Sequence, residues 1–369
     1  MKSSLPYKKW VRHMNKIKLA IIFGGKSSEY SVSLHSAAGA IKNIDREKYE
    51  LTFIGIDPQG SWYLCPDDVD AIEHDTWKEK ALCRITLDAS CAQGFLKLYD
   101  DGRYERLAID CIFAILHGIN GEDGTIQGLF QLANIPYVGC NPLSSAICMD
   151  KEVAHILCEA QGIRMAPYVS VHQNEGYSLS ALKEQVAACL TFPVFVKPCN
   201  AGSSYGVTKI YDLDEIEDAL NFAFRYDTKV ILETGISGFE VGTAVLGNDE
   251  LFVGEVDEVQ TNNQFFDFAA KYDLENTEII CPARISSEKR DEIRTLAAKI
   301  YSVLGCTGLA RVDLFLDDEQ IVYFNEVNTI PGFTSASRYP SMMKAAGIDF
   351  TALIDKLVEL ALEKHHAAK

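Results

Sequence analysis

The chain has 369 residues, 47% of them apolar and 24% charged, a length and composition that suit two or three domains with sizeable cores and point neither to disorder nor to a membrane protein. Its 35 Lys and Arg stand against 52 Asp and Glu, a net charge of −17. That balance repels a phosphate backbone and argues against nucleic acid as a partner, so any bound phosphate must meet a local basic cluster.

The chain opens with a basic stretch, but the apolar run that follows, LAIIF, ends at a glycine pair and is shorter than a signal-peptide core. No export is predicted, and a cytoplasmic protein is expected. Residues 1–15 read as a flexible extension, with Met14 an alternative beginning. The eleven cysteines are scattered and lack a CxxC pair, which reads as reduced core thiols, not a disulfide framework or a zinc pattern.

KIKLAIIFGG reads as a buried strand running into a glycine turn, followed by a helix in SVSLHSAAGAIKNI capped by Ser31 or Ser33. Apolar runs at YELTFIGI, CIFAILHG and PYVG alternate with helical stretches such as GTIQGLFQLA, which predicts an open parallel sheet covered by helices up to about Cys140. A helix in KEVAHILCEAQG then leads to two short strands, FPVFVKP and GVTKIYD, joined as a hairpin by CNAGSSY. A helix in DLDEIEDALNFAF, a strand in KVILE, a hairpin across GND and a long helix in SSEKRDEIRTLAAKIYSVLG complete a mixed α+β half. The irregular stretch 258–282 is a candidate mobile loop.

The strongest local signal is GLARVDLFLDDEQIVYFNEVNT, two alternating strands joined by a turn at 317–320. In that register, odd positions of the first strand share a face with even positions of the second, so Arg311, Asp313, Glu326 and Asn328 converge. Such a set on a half-buried face is costly without a compensating ligand. Hard oxygen donors suit magnesium shared with nucleotide phosphates; the competing reading is an ordinary ion-paired hairpin.

The second signal is KPCNAGSSYGVTK, where Lys197 precedes Gly202, Ser203 and Ser204. The order of a Walker loop is missing and a strand follows, which fits a glycine-rich flap over phosphates. FGGKSSEY lacks the GxGxxG of a dinucleotide site. Glu29 and His117 end predicted strands, where open α/β sheets place ligands.

Taken together, FGGKSSEYSVS, LHGINGEDGT, CMDK, FVKPCNAGSSYGV, FDFAAKY, GLARVDLF and NEVNTIPGFTSASRYP resemble the D-alanine:D-alanine ligase family from Lys16 onward. The resemblance implies an N-terminal preATP-grasp domain over 16–140, a central ATP-grasp subdomain over 141–232 and a C-terminal one over 233–369. It implies ATP as substrate with two Mg2+ ions, or Mn2+ in their place, D-alanine as first amino acid, and a homodimer with neither nucleic acid nor membrane as partner. By position, Lys151, Lys197, Ser204 and Lys271 would contact ATP phosphates, Glu233 the adenine and Glu240 the ribose. Asp313, Glu326 and Asn328 would hold metal. Glu29 would bind the D-alanine ammonium, tied to Ser203 and Tyr272, with His117 near the same substrate. Arg311 and the Gly332 N–H would stabilise the oxyanion of the tetrahedral intermediate.

Ser337 and Arg338 fall where the family contacts the second amino acid, and Arg338 stands where D-alanine:D-alanine ligases commonly carry Leu or Met. Its five donors suit a substrate hydroxyl, so D-serine is favoured, as in the vancomycin-resistance type ligases for peptidoglycan precursors; the alternatives are D-alanine in routine wall synthesis and an Arg338 that pairs with a nearby carboxylate. Tyr272, where D-lactate ligases typically have His, disfavours D-lactate. Ala336 and Tyr205 also depart from residues frequent in relatives. A nucleotide-binding regulatory protein without chemistry would show decay of the metal set, which is intact here.

Overall fold

The computed structural model describes residues 16–90, 94–202, 205–261 and 277–367. Strands β1 (Ile17–Gly24), β2 (Tyr49–Ile56), β3 (Trp62–Cys65), β4 (Cys83–Leu87), β5 (Gly94–Leu98), β6 (Tyr104–Ala108) and β7 (Cys111–Ala114) form a seven-stranded sheet in the order β6-β5-β4-β3-β2-β1-β7. The expected parallel pairing holds for β1 with β2 and β7. From β3 to β6 the pairing is antiparallel. The reason is connection length: β2 turns into β3 through 57–61, where Asp57 accepts the Gln59 and Ser61 N–H groups, and a parallel crossover needs about a dozen residues or more. The PYVG run contributes one parallel bridge, Tyr137 to Ile112.

Helix α1 (Tyr30–Asn43) follows β1. Neither Ser31 nor Ser33 caps it: Glu29 occupies the N-cap without a side-chain cap bond. Ser33 lies inside the helix, its hydroxyl donating to the Ile115 carbonyl and accepting the Gly24 N–H at 2.8 Å. It thereby ties the helix to two strand ends.

Helices α2 (Val69–Glu73), α3 (Thr125–Leu132), α4 (Pro142–Met149) and α5 (Lys151–Ala160) lead to a second, four-stranded sheet. It contains β8 (Tyr168–His172), β9 (Val194–Pro198), β10 (Thr208–Ile210) and β11 (Lys229–Thr234) in the antiparallel order β10-β9-β11-β8. The β9–β10 hairpin is the expected flap, and α6 (Leu179–Cys189) and α7 (Ile216–Ala223) supply buried Leu182, Val186, Ile216 and Leu220 to this sheet's core.

The third sheet, β14-β13-β12-β15-β16, is antiparallel throughout and built from β12 (Gly238–Gly247), β13 (Leu251–Thr261), β14 (Thr277–Ile280), β15 (Gly308–Asp317) and β16 (Val322–Asn328). The ends of the candidate loop 258–282 are paired strand, Glu258 opposite Ile280 and Thr261 opposite Thr277; residues 262–276 lie outside the described ones. Helices α8 (Ser287–Val303), α9 (Arg338–Ala345) and α10 (Phe350–Ala367) follow.

One buried cluster joins the first sheet to the third: Leu19 and Ile21 of β1 share it with Leu246, Leu309, Phe333, Met342 and Leu357. Each such side chain contributes roughly 1.5–3 kcal/mol of burial, so the two regions are held as one body by apolar contact. Among the described residues no helix is long and apolar enough to cross a membrane, and the ten described cysteines are free, seven of them buried.

Candidate active site

The β15–β16 pairing places Arg311 opposite Asn328 and Asp313 opposite Glu326, the face that strand parity predicts. A bulge after Asp313 gives β16 one extra residue before Phe324 meets Leu314. The bulge explains an oddity of the sequence: Phe324 and Val327 are three apart, yet both are buried in the same core.

Asp313 is 1% exposed and grips Arg311 in bidentate fashion, Nε to Oδ1 at 2.8 Å and Nη2 to Oδ2 at 2.7 Å. Burial alone would lower the Arg311 pKa; Asp313 outweighs it, raises the pKa and keeps the guanidinium charged. Asn328 donates its amide Nδ2 to Asp313 Oδ2 at 2.8 Å. Lys151, the first residue of α5, lies 3.5 Å from Glu326 Oε2 and donates to the Ala201 carbonyl at 2.9 Å, so one ammonium joins the flap base to the hairpin.

Lys197 on β9 pairs with Glu233 on the neighbouring β11. Glu233 is buried, which would raise its pKa, but Lys197 and then His155 bring it below the usual value. His155 is itself pushed toward the neutral form by burial; it sits 3.3 Å from Glu233 Oε1 and 3.3 Å from the Asn325 carbonyl in the bulge. A single imidazole thus spans the central sheet and the hairpin.

Glu29, expected at a strand end, sits instead at the N-cap of α1, five residues beyond β1, and is 7% exposed. A Cβ at Gly118 would strike its Oε2, and one at Gly202 would stand 2.9 Å from it, so a side chain at either position would push the carboxylate from its present place. His117 is buried, its Nδ1 2.8 Å from the Ile330 carbonyl and its Nε2 3.0 Å from Ser36 Oγ. Glu122 accepts the Gly118 and Ile330 N–H groups, each at 2.9 Å. Burial, and then the Glu29 carboxylate, push Glu122 up to about 8.

Gly332 belongs to the segment between β16 and α9; a Cβ there would approach Ser337 Oγ to 3.2 Å. Ser337 holds the N-cap position of α9 and accepts the Thr334 N–H at 3.0 Å. Arg338 is 8% exposed and engages Asp257 through Nε and Nη2, both at 2.8 Å, and Glu240 through Nη1, with Nη2 3.5 Å from Asp313. The carboxylate partner weighed in the sequence is therefore present, and Glu240 meets Arg338. Gly242 leaves the room for this: a Cβ there would lie 2.5 Å from Arg338 Nη2 and 2.8 Å from Asp313 Oδ1. Ser203, Ser204, Lys271 and Tyr272 lie outside the described residues.

Lys151, Arg311 and Arg338 each lie within 3.5 Å of a carboxylate of one hairpin in a chain of net charge −17, a local basic cluster of the kind an anionic substrate requires, while Lys197 pairs with Glu233 on the central sheet. A cleft of about 800 Å³ between the β12–β13 turn and α10, lined by Asn248, Lys356 and Lys364, contains none of these side chains.

Residues 18–140 match the family model for the D-ala D-ala ligase N-terminus, and residues 157–359 match that for the D-ala D-ala ligase C-terminus. The chain belongs to the D-ala D-ala ligase family. It is similar to a D-alanine--D-alanine ligase of Caldicellulosiruptor bescii, 44% identical over 361 residues covering 96% of this chain and 98% of that protein. It is also similar to the vancomycin B-type resistance protein VanB of Enterococcus faecalis, 46% identical over 356 residues, with 95% of this chain and all (100%) of that protein covered. Among solved structures, the VanG D-Ala:D-Ser ligase from Enterococcus faecalis superposes with a TM-score of 0.86 at 46% identity, covering 94% of this chain and 100% of that one. The family's ATP-grasp architecture accounts for the three sheets, and the chain is a ligase.

In this D-ala D-ala ligase family member, four residues of the site escaped the sequence reading. Ser36 belongs to a polar stripe, Glu29, Ser33 and Ser36, at i, i+4 and i+7 on a helix whose neighbours Ala37, Ala38 and Ala40 are buried; that spacing could have found it. Glu122 sits inside LHGINGEDGT with no separate signal. Asp257 and His155 had none either: one is an acidic residue in a strand and the other a lone histidine in a helix.

Proposed function

We propose that this ligase joins D-alanine to D-serine, using ATP to activate the first carboxylate as an acyl phosphate that the second amino group then displaces. The observation that carries the reading is the single face holding Arg311, Asp313, Glu326 and Asn328, with Lys151 beside it. Its donor set fits magnesium: two carboxylates, and an amide that donates through nitrogen and so keeps its oxygen for a cation. Bound there with nucleotide, the ion would neutralise phosphate charge. Lys151 and Lys197 hold the phosphates, while Glu233 and Glu240 take the adenine and ribose. Glu29 holds the ammonium of D-alanine, and Arg311 with the Gly332 N–H receives the oxyanion. Water that would otherwise hydrolyse the acyl phosphate has to be kept from this face.

D-Serine as acceptor is supported by Arg338 at the head of α9, next to Asp313, and by the likeness to a D-Ala:D-Ser ligase. The second reading, D-alanine as acceptor, is favoured by the commitment of Arg338 to Asp257 and Glu240. ADP release with D-alanine alone is compared with D-alanine plus D-serine. A higher kcat/KM for D-serine is expected; equal values for the two acceptors would contradict the proposal.

A further inference from the structure

We propose that Ser36 and Glu122 are positioning residues that, together with His117, fix the 330–333 segment, and with it the Gly332 N–H, against α1 and the loop that follows β7. The claim rests on the role given to Gly332 under the proposed function and adds two residues to it.

The hydrogen bonds form one directed chain. The Phe333 N–H donates to Ser36 Oγ at 3.2 Å, the Ser36 hydroxyl donates to His117 Nε2 at 3.0 Å, and His117 Nδ1–H donates to the Ile330 carbonyl at 2.8 Å. The Ile330 N–H donates to Glu122 Oε1 at 2.9 Å, and Glu122 Oε2 accepts the Gly118 N–H at 2.9 Å. Every donor meets one acceptor only when the imidazole is neutral with its proton on Nδ1, so the partners fix the tautomer.

Both faces of the Ile330 peptide unit's flanking groups are thus taken, N–H by Glu122 and carbonyl by His117, while Phe333 is taken by Ser36. Gly332 lies between the two anchored residues. Packing enforces the same placement: a Cβ at Gly39 would stand 3.0 Å from Thr334 Cα, so α1 touches the segment directly, and Phe333 meets Phe113 edge-on at 5.3 Å. A backbone donor is useful to a developing oxyanion only if it is held in place, and a misplacement of about 1 Å costs up to about a hundred-fold in rate.

Ser36→Ala and Glu122→Gln break the chain at opposite ends. In each, kcat is expected to fall by about ten- to a hundred-fold and the acceptor KM to rise, with the KM for ATP held within about two-fold. Amide hydrogen exchange on the full chain without substrates is expected to quicken at Phe333 in Ser36→Ala and at Ile330 in Glu122→Gln. Unchanged exchange together with unchanged kcat overturns the proposal. So does a KM for ATP that rises in step with the acceptor KM, the mark of general damage. A wild-type chain that shows protected amides but no ligation would count against the proposed function and not against the hydrogen-bonded chain.

Discussion

Arg311 combines a contact seen in the structure with the catalytic role that the proposed function gives it. Its bidentate grip on Asp313 neutralises a carboxylate that is 1% exposed, and under the proposed function the same guanidinium receives the developing oxyanion. Arg311→Ala should therefore lower kcat by about a hundred- to a thousand-fold with a smaller effect on the KM for ATP, read from steady-state ADP release; a normal kcat would refute the assignment. Asp257 makes a different case. It is fully buried, burial raises its pKa, and Arg338 is what opposes that shift. Removing it leaves a buried guanidinium short of its bidentate partner, so Asp257→Ala should cost about 3–5 kcal/mol in urea unfolding. A loss under about 1 kcal/mol would show the network to be dispensable. Glycine matters here through space: Gly242→Ala places a methyl 2.5 Å from Arg338 Nη2.

Among the elements, the β15–β16 hairpin was legible because strand parity needs only the apolar alternation and a turn, which Asp317 supplies by accepting the Glu319 and Ile321 N–H groups. The bulge at Asn325 was not legible, since one extra residue leaves no compositional mark. The start of α1 was misread for a related reason: serines favour caps, but Ser33 found backbone partners on two strands that lie elsewhere in the chain. Helix α5 carries a side-chain cap at its N-terminus. Asp150 accepts the Val153 N–H at 3.2 Å and pairs with Lys229, which sets the angle at which Lys151 leaves the helix. Asp150→Asn, which keeps a capping oxygen, should preserve ATP affinity better than Asp150→Ala; equal losses by calorimetric titration would mean that the cap does not position Lys151.

At the scale of the whole molecule, an α/β part and an α+β part were foreseen, but the core that the first and third sheets share was not. Phe333, Met342 and Leu357 pack with Leu19 and Ile21 across more than three hundred positions of sequence, a contact no local pattern encodes. The same limit hid the Ser36–His117–Ile330–Glu122 chain, which joins residues from three distant stretches. That chain has a pH signature. Glu122 is raised to about 8 in the folded protein by burial and Glu29, against the opposing pull of two backbone N–H groups and Arg311, so the folded state holds its proton more tightly than the unfolded state. Its contribution to stability is complete below the usual Glu range and is lost as pH rises through about 8. His117, lowered by burial, titrates in the opposite sense at lower pH. Urea midpoints at pH 5.5 and 8.5 should converge in Glu122→Gln relative to wild type; parallel behaviour of the two proteins would count against the shift.

The proposed function depends on the β15–β16 hairpin, and Glu326, its side chain 21% exposed, is one of the two carboxylates on that face. ADP release by Glu326→Gln, measured against wild type at saturating magnesium, ATP, D-alanine and D-serine, addresses it most directly. A fall of about two orders of magnitude in a folded protein is predicted. Wild-type turnover in that variant would contradict the assignment of this face to ATP.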